Sequence, residues 1–383
     1  MSLEVDGIGK WYGQNRALED VSLSVADGEF CIVLGPSGSG KTTLLMSVAG
    51  LVEPDAGDVR IDGESVAGDP VEERGFGVVF QDFEERLFPH MTVEENVAFG
   101  LRQNSDLDGP EIDDRVTDAL ELLAIEETRT DSPAELSGGQ QQRVDLARQL
   151  VRDVETLLLD DPLSDLDYKL QKYLELELRR LQKERENTIL YVTHNQNQSF
   201  KLADRLVVLN DGLVEQIGTP REVYHDPATA FVARFIGDSN AFVVDDVLHG
   251  NEGHVLETPL GEMAVSRGRV KTTARPDGAG STAGPAGVAM VRPEDVLIGE
   301  GTTSVTGTLE QRTYTGEMTE FIFGTPGDTE RMQVQRRGNV RLGDLDVAVG
   351  EEVSLGWEPE QLQFFDQGQL SAAETTIPEL LRV

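Results

Sequence analysis

The chain has 383 residues, 38% of them hydrophobic, and a formal net charge of −37 from 70 acidic residues against 33 lysines and arginines. A polyanion of this strength repels nucleic acid and anionic lipid, so the composition excludes broad electrostatic binding to either. No run of apolar residues approaches the ~18 that a membrane-spanning helix needs, whereas the hydrophobic content suffices for two globular domains.

Strands and helices are predicted to alternate over residues 1–236, which is typical of an α/β domain with a largely parallel sheet. Phe30–Leu34 is a short apolar strand that runs directly into a glycine-rich loop, and Thr42–Leu51 is the helix after it. Further strands are predicted at Val5–Ile8, Val21–Val25, Thr156–Leu159, Thr188–Thr193 and Leu206–Leu209, and further helices at 111–127, after Ser137, and at Tyr168–Lys183.

The pattern changes from residue 237 onward. Short β-like runs such as Glu320–Phe323 and Val353–Leu355 are separated by turn glycines. Residues 276–287 are rich in Gly, Ala and Pro, and we predict a flexible loop there. The sequence therefore predicts a second domain at 237–383 that is all-β and barrel-like.

A phosphate-binding loop is predicted between the strand that ends at Leu34 and the helix after it, because this segment matches GxxxxGK[ST] in full. Glycines let backbone N–H groups close around phosphate oxygens, and the helix N-terminus adds its dipole. Lys41 is placed to reach phosphate oxygens, and the Thr42 hydroxyl is placed to bind Mg²⁺. The predicted nucleotide-binding residues are Gly35, Pro36, Ser37, Gly38, Ser39, Gly40, Lys41, Thr42 and Thr43.

A carboxylate follows a second apolar strand, Leu157–Leu159, at Asp160. A strand of this kind places its terminal acid beside the phosphate loop, where it holds Mg²⁺ through water. The pattern is weak alone, because any buried strand can end in aspartate. Its place in the same domain favours Asp160 as a magnesium ligand.

The pentapeptide LSGGQ at Leu136–Gln140 lies downstream of the phosphate loop in the same domain. Together the two motifs resemble those of the nucleotide-binding subunit of an ABC transporter, and the resemblance covers residues 1–236. It implies an ATPase that uses ATP and Mg²⁺ and works as a dimer. In such a dimer, Ser137, Gly138, Gly139 and Gln140 of one copy meet the γ-phosphate that Lys41 of the other copy holds.

The resemblance also implies roles for residues that are uninformative alone. Tyr12 matches the aromatic side chain that stacks on adenine, with Trp11 beside it as the alternative in a shifted register. Gln81 matches the glutamine that meets Mg²⁺ and the attacking water. Asp167 matches the D-loop aspartate, and His194 matches the switch histidine that contacts the γ-phosphate.

The acid that polarises the attacking water departs from the family pattern. Family members usually have Glu directly after the magnesium-binding Asp, and this chain has Asp161. Aspartate keeps the carboxylate but loses roughly 1.5 Å of reach, and misplacement by an ångström can cost about 10²-fold in rate. Either hydrolysis is slow or the water is repositioned, and we favour repositioned water.

Three further positions depart from the pattern. The segment from Gln81 to Phe88 is longer than usual on the side that faces the membrane subunit, so we expect Glu84–Arg86 to tune docking. Asp145 occupies a position where relatives carry a small apolar residue. Asn195 follows His194 where Asp is usual. Neither Asp145 nor Asn195 has an explanation in the sequence.

The second domain resembles the regulatory OB/TOBE tail of ABC importers through Phe231–Gly237, Val291–Val296 and Gly350–Val353. The resemblance implies a regulatory or dimer-contact role. Barrels of the OB type often bind nucleic acid, but the acidity of this chain argues against that.

Both resemblances together imply an importer ATPase at the cytoplasmic face of the membrane. Its expected partners are a second copy of the chain, two permease subunits and, through the permease, an extracytoplasmic solute-binding protein. Polyamine, ferric iron and sugar are the candidate solutes, and Asp167–Leu170 faintly resembles the polyamine type. The alternative is a soluble ABC ATPase with a regulatory, ribosome-associated or DNA-associated role.

The balance of charged residue types predicts a high-salt environment. Only seven of the 33 basic residues are lysines, and none follows Lys271. Abundant carboxylates with few lysines suit a salty cytoplasm, where the Debye length falls to about 3 Å at 1 M salt. We therefore predict a halophilic protein that unfolds in low salt. The one cysteine, Cys31, lies in an apolar run and is predicted to be buried.

Overall fold

The computed structural model describes residues 2–80, 87–104, 107–164, 166–250, 253–272, 285–299, 301–326, 331–340, 347–373 and 375–381. Gln81, the Glu84–Arg86 extension and residues 276–284 of the predicted loop lie outside the described residues. The chain forms two compact units, Met1–Pro220 and Arg221–Val383. Among the described residues, no helix has both the length and the apolar character needed to cross a membrane.

The first unit combines a mostly parallel sheet, an antiparallel sheet and the helices around them. Its strands are β1 (Leu3–Tyr12), β2 (Asn15–Val25), β3 (Phe30–Leu34), β4 (Ala56–Ile61), β5 (Glu64–Ser65), β6 (Phe76–Val79), β7 (Thr156–Asp160), β8 (Thr188–Thr193), β9 (Arg205–Asn210) and β10 (Leu213–Gly218). Its helices are α1 (Lys41–Ala49), α2 (Val93–Asn104), α3 (Gly109–Leu122), α4 (Gly138–Leu150), α5 (Tyr168–Arg185) and α6 (Gln196–Leu202).

The six-stranded sheet determines where the site lies. Its order is β10-β9-β3-β8-β7-β6, and every neighbouring pair is parallel except β9 and β10. Strands β3, β7 and β8 are buried along their whole length, as in parallel sheets covered on both faces. The carboxyl ends of these three strands share one edge. The phosphate loop, the Asp160–Asp161 pair and His194 therefore follow neighbouring strands at that edge.

The antiparallel sheet, with order β2-β1-β4-β5, was not predicted as a sheet. Strands β1 and β2 form a hairpin in which Tyr12 pairs with Asn15. Its register shifts between Val5 and Ile8 and again between Ile8 and Lys10. These irregularities break the alternation of period two, which is why the sequence indicated only fragments of both strands.

The second unit is built mainly of strands. They are β11 (Asn240–Val244), β12 (Asp246–His249), β13 (Gly253–Thr258), β14 (Gly261–Ser266), β15 (Val270–Lys271), β16 (Gly287–Val291), β17 (Leu297–Ile298), β18 (Thr303–Tyr314), β19 (Met318–Gly324), β20 (Arg331–Arg337), β21 (Glu352–Trp357) and β22 (Gln363–Asp366). In the described part of the unit they form three sheets, with the orders β11-β16-β22-β15, β12-β13-β14 and β17-β21-β18-β19-β20. Trp357 stacks on Phe242 in the core, with ring centroids 5.6 Å apart. The predicted succession of an α/β part and an all-β part is confirmed.

The two compact units divide earlier in the chain than the predicted boundary after Ile236. Among the described residues, three short helices accompany the second unit's strands: α7 (Pro220–His225), α8 (Ala230–Phe235) and α9 (Ile377–Leu381). Ala230 and Ala233 on α8 are buried in a cluster with Val288 and Met290. Phe231 N–H also donates to the Leu370 carbonyl at 2.8 Å. Helix α8 therefore packs as part of the second unit.

Candidate nucleotide site

The phosphate loop leaves β3 at Leu34 and enters α1 at Lys41, and its glycines are required by the backbone. A Cβ at Gly35 would lie 2.1 Å from the Leu209 carbonyl oxygen. Gly38 and Gly40 have φ of 82° and 100°, in the left-handed region that favours glycine. A tight turn followed by a helix N-terminus is the arrangement that binds phosphate groups.

The Lys41 ammonium group lies inside this loop. Its Nζ donates to the carbonyl oxygens of Gly35 at 2.9 Å and Pro36 at 2.7 Å. Burial lowers the pKa of Lys41, while the charges of Asp160 and Asp161 act in the opposite direction. The lysine and both acids therefore form one electrostatic cluster. Thr42 is exposed and Thr43 half-buried where α1 begins.

The β1–β2 hairpin approaches the phosphate loop and carries the predicted adenine-stacking residue. A Cβ at Gly40 would lie 2.4 Å from the carbonyl oxygen of Ala17 on β2, so the hairpin contacts the loop. The Trp11 ring lies over Gly9, because a Cβ there would be 2.7 Å from two ring atoms. Tyr12 at the end of β1 is 51% exposed. Trp11 is 40% exposed, and the choice of Tyr12 as the adenine-stacking residue stays a prediction.

Asp161 contacts the end of β8 through three hydrogen bonds. Its N–H donates to the Val192 carbonyl at 2.9 Å. The Thr193 hydroxyl donates to Oδ1 at 3.0 Å, and His194 Nδ1 lies 2.7 Å from Oδ2. Asp161, directly after β7, therefore connects the carboxyl end of that strand to the segment that carries His194.

The backbone of Asp161 is unusual, and its side chain is buried. Its φ of 42° is uncommon for a residue other than glycine. Only 4% of the residue is exposed. Burial raises the pKa of Asp161, against the lowering effects of His194, Thr193 and Lys41. An acid in this environment holds a proton more readily than a surface aspartate, which suits a group that accepts one from water.

Thr193 also takes part in the contacts around Asp161, a role that was not predicted from the sequence. Its hydroxyl donates to Asp161 and also accepts from the Asn195 N–H at 3.0 Å. It thereby connects the carboxylate to both sides of His194. The available signal was a hydroxyl side chain directly before the histidine, at the end of a buried strand.

The LSGGQ segment begins helix α4. Ser137 is the N-cap, and Ser137 and Gln140 form a reciprocal capping box: Ser137 N–H lies 2.8 Å from Gln140 Oε1, and Gln140 N–H lies 3.4 Å from Ser137 Oγ. Ser137 and Gly138 are exposed. Helix α4 packs on α2, α3 and β6, whereas α1 packs on β1, β2, β7 and β8. The LSGGQ segment, called the signature below, and the phosphate loop therefore begin helices that pack on different elements of the first unit.

Three further residues have structural roles of their own. Asp167 caps α5 by accepting from the N–H groups of Lys169 and Leu170, both at 3.1 Å. Asn195 caps α6 by accepting from the Gln198 N–H at 3.2 Å. Asn and Asp cap helices about equally well, which explains the departure at position 195. Asp145 is buried, with an oxygen 3.5 Å from Arg148.

Comparison with known families matches residues 18–164 to the ABC transporter family and residues 289–365 to the TOBE domain. The spermidine/putrescine import ATP-binding protein PotA of Haemophilus influenzae is 38% identical over 367 residues, which cover 93% of this chain and 94% of that protein. The protein of the same name from Nitratidesulfovibrio vulgaris is 39% identical over 362 residues, covering 93% of this chain and 95% of that protein.

A solved structure resembles the first unit. It is the dimeric post-hydrolysis state of the ATP-binding cassette MJ0796 bound to ADP and Pi, which is 33% identical with a TM-score of 0.53 and covers 57% of this chain and 99% of that chain. The resemblance inferred from the phosphate loop and the signature is confirmed. This chain belongs to the ABC transporter ATP-binding subunits of the importer type, and it is an ATPase with a C-terminal TOBE domain.

Proposed function

We propose that this chain hydrolyses ATP to power polyamine import, and that two copies close around two ATP molecules in each transport cycle. The observation that carries the solute assignment is 38% identity over 93% of the chain to a spermidine/putrescine import ATP-binding protein. The relatives described above are named for spermidine/putrescine import and not for ferric iron or sugar. A non-transport role is not favoured, because the relatives are import proteins along nearly their whole length.

We further propose that the subunit docks on two permease subunits at the cytoplasmic face of the membrane. An extracytoplasmic solute-binding protein would deliver the polyamine to the permease. This assembly is supported by the importer relatives and by the TOBE match at residues 289–365. The strong negative charge of the chain argues against a nucleic-acid partner.

The phosphate loop fits the triphosphate of ATP. Gly35 to Thr43 would hold it, with Lys41 supplying positive charge and the α1 N-terminus supplying N–H donors. Thr42 and Asp160 offer the hard oxygen atoms that suit Mg²⁺, and Gln81 is the third expected ligand, outside the described residues. When bound, Mg²⁺ would neutralise charge on the phosphate oxygens. The exposed Tyr12 ring would stack on adenine.

Asp161 and His194 divide the work of hydrolysis in this proposal. His194 Nδ1 is engaged with Asp161 Oδ2, which leaves Nε2 for an oxygen of the γ-phosphate. Each carboxylate oxygen of Asp161 keeps a second lone pair beyond its present hydrogen bond. One of these can accept a proton from the attacking water. Asp161 therefore orients the histidine and polarises the water with one carboxylate.

The signature completes the site of the other copy. Ser137 and Gly138 are exposed at the N-terminus of α4, where N–H groups and the helix dipole favour an anion. We propose that this anion is the γ-phosphate bound by Lys41 of the second copy, with Gly139, Gln140 and the D-loop residue Asp167 at the same interface.

Uptake by whole cells tests the transport proposal. The gene would be deleted in its own host, and uptake of labelled spermidine, putrescine, a sugar and ferric iron would be compared. We expect loss of polyamine uptake alone, restored by the parent chain and not by Lys41→Ala. Loss of sugar or iron uptake with polyamine uptake intact would contradict the solute. Unchanged uptake of all four would contradict the polyamine-import assignment.

A further inference from the structure

We propose that His249 and His254 form a two-nitrogen binding site for a divalent transition metal, with Cu²⁺ bound more tightly than Ni²⁺ or Zn²⁺. The site lies on the hairpin of β12 and β13 in the second unit. It is independent of the nucleotide site and of the proposed transport function.

The hairpin holds the two imidazoles side by side. His249 on β12 pairs with His254 on β13 in an antiparallel ladder. Gly250 N–H donates to the Gly253 carbonyl at 2.9 Å, so the adjacent histidine pair is a non-hydrogen-bonded one. Side chains at such pairs approach more closely than at hydrogen-bonded pairs. The backbone therefore sets the spacing of the two rings.

The two Nδ1 atoms are 3.0 Å apart and share a hydrogen bond in the metal-free pair, and the ring planes cross at 87°. A metal would replace that hydrogen bond, and the proton of the donating ring would move to its Nε2 so that both Nδ1 lone pairs bind the ion. With metal–nitrogen bonds of about 2.1 Å, two ligands at a right angle lie about 3.0 Å apart and two at the tetrahedral angle about 3.4 Å apart. The observed spacing therefore fits square-planar or octahedral coordination without moving the backbone.

The ligand type and coordination angle together select the class of metal. Imidazole suits Cu²⁺, Ni²⁺ and Zn²⁺, whereas Mg²⁺ and Ca²⁺ prefer oxygen ligands. Right-angle coordination by nitrogen is typical of Cu²⁺ and Ni²⁺, and Cu²⁺ stands highest in the general order of affinity. Zn²⁺ would require the two nitrogens to separate by a few tenths of an ångström.

The charges around the histidine pair have opposing effects on the binding of a cation. Metal binding needs neutral imidazole, and the positive charge of Arg267 acts on His254. The Arg267 charge also opposes a cation directly. The net charge of −37 attracts cations to the protein as a whole.

The site supplies two protein ligands and leaves the other positions open. Among the described residues, no group of three or more His, Cys, Asp or Glu side chains is arranged to hold a metal. His249 is exposed and His254 half-buried, so an ion reaches them from solvent. Water or a group from another molecule would complete the coordination, as in open metal sites.

Copper binding by the full-length chain tests the proposal. Cu²⁺ affinity would be measured by competition with a chromophoric chelator, and nitrogen coordination by electron paramagnetic resonance. His249→Asn and His254→Asn would be compared with the control His225→Asn, which changes an exposed histidine of the same unit whose ring contacts Tyr224. Circular dichroism would verify that all three variants are folded.

We expect one Cu²⁺ ion coordinated by two imidazole nitrogens. Each hairpin variant should weaken that site at least about tenfold, because the second imidazole binds intramolecularly. His225→Asn should leave it unchanged. Copper binding that is equal in the parent and both hairpin variants, or weakened as much by His225→Asn, would show adventitious binding only and overturn the proposal.

Discussion

Asp161, the residue after Asp160, combines an unusual backbone conformation with two side-chain contacts. Asp161 turns its backbone into the left-handed region at φ 42° and pairs with Thr193 and His194. The sequence shows aspartate at this position in place of the usual glutamate. It does not predict the left-handed backbone conformation, because backbone dihedrals at one position depend on tertiary contacts. The structure supplies contacts that orient the aspartate, and repositioned water in place of slow hydrolysis stays a prediction.

Substitution of Asp161 tests its proposed role. Asp161→Asn keeps the size of the side chain and removes the base, so we expect kcat for ATP hydrolysis to fall by about 10² or more. Asp161→Glu restores the usual family residue and should stay within about tenfold of the parent. Steady-state ATPase assays measure both. A parent-like rate in Asp161→Asn would mean that Asp161 is not catalytic.

Thr193 provides a second test at this scale, because its hydroxyl contacts Asp161 and the residue is not among the proposed ATP contacts. Thr193→Val preserves shape on β8 and removes the hydroxyl that donates to Oδ1. We expect kcat to fall about tenfold or more while KM for ATP stays constant. Thr193→Ser should recover most of the loss. If Thr193→Val changes KM and not kcat, the hydroxyl does not position the carboxylate.

Among the elements, buried parallel strands were the most predictable and the β1–β2 hairpin the least. Strands β3, β7 and β8 are continuous apolar runs, so their type and position follow from the sequence. The hairpin register shifts at Ile8, which hides its periodicity. The glycine loop was predictable because its motif encodes backbone conformation. The Thr193 contact was not, since it joins two strands that are distant in sequence.

Two serine variants can separate the proposed phosphate contact of Ser137 from its structural role as the N-cap of α4. Ser137 begins α4, and Ser132 begins the 3₁₀ turn Pro133–Glu135 just before it. The N–H and hydroxyl groups of each serine donate to the side-chain oxygen three positions later, on Gln140 and Glu135 respectively, and the Ser137 hydroxyl also accepts from the Gln140 N–H. Ser137→Ala and Ser132→Ala should therefore each lower the free energy of unfolding by about 1 kcal/mol.

Only Ser137→Ala should also lower ATPase activity, because only Ser137 belongs to the proposed phosphate contact. Chemical denaturation and ATPase assays on both variants measure the two effects. Equal activity losses in the two variants would assign Ser137 a capping role alone.

At the scale of the whole molecule, charge is the dominant feature. Seventy acidic residues on 383 positions repel one another, and the repulsion acts over about 10 Å at 0.1 M salt but only about 3 Å at 1 M. We expect the melting temperature to rise steeply between 0.1 M and 3 M KCl. A chain that melts at the same temperature in both would contradict the predicted halophilic character.

The division into units is a second property of the whole chain that the sequence located only approximately. The change to β-like texture at residue 237 is visible because helical and strand periodicities differ. Helix α8, which precedes residue 237, has a helical sequence pattern like that of the first unit. It nevertheless packs in the second unit through Ala230 and Ala233. Which unit a short helix joins depends on contacts with Val288 and Met290, which lie far along the sequence.

Mixing two inactive variants tests most directly whether Lys41 of one copy works with Ser137 of the other. Lys41→Ala and Ser137→Arg should each abolish ATP hydrolysis alone, since every site in either homodimer lacks one component. A mixed dimer would contain one site with both components intact. We predict that an equal mixture of the folded variants recovers about a quarter of the parent ATPase rate. A mixture that stays as inactive as its components would contradict the account.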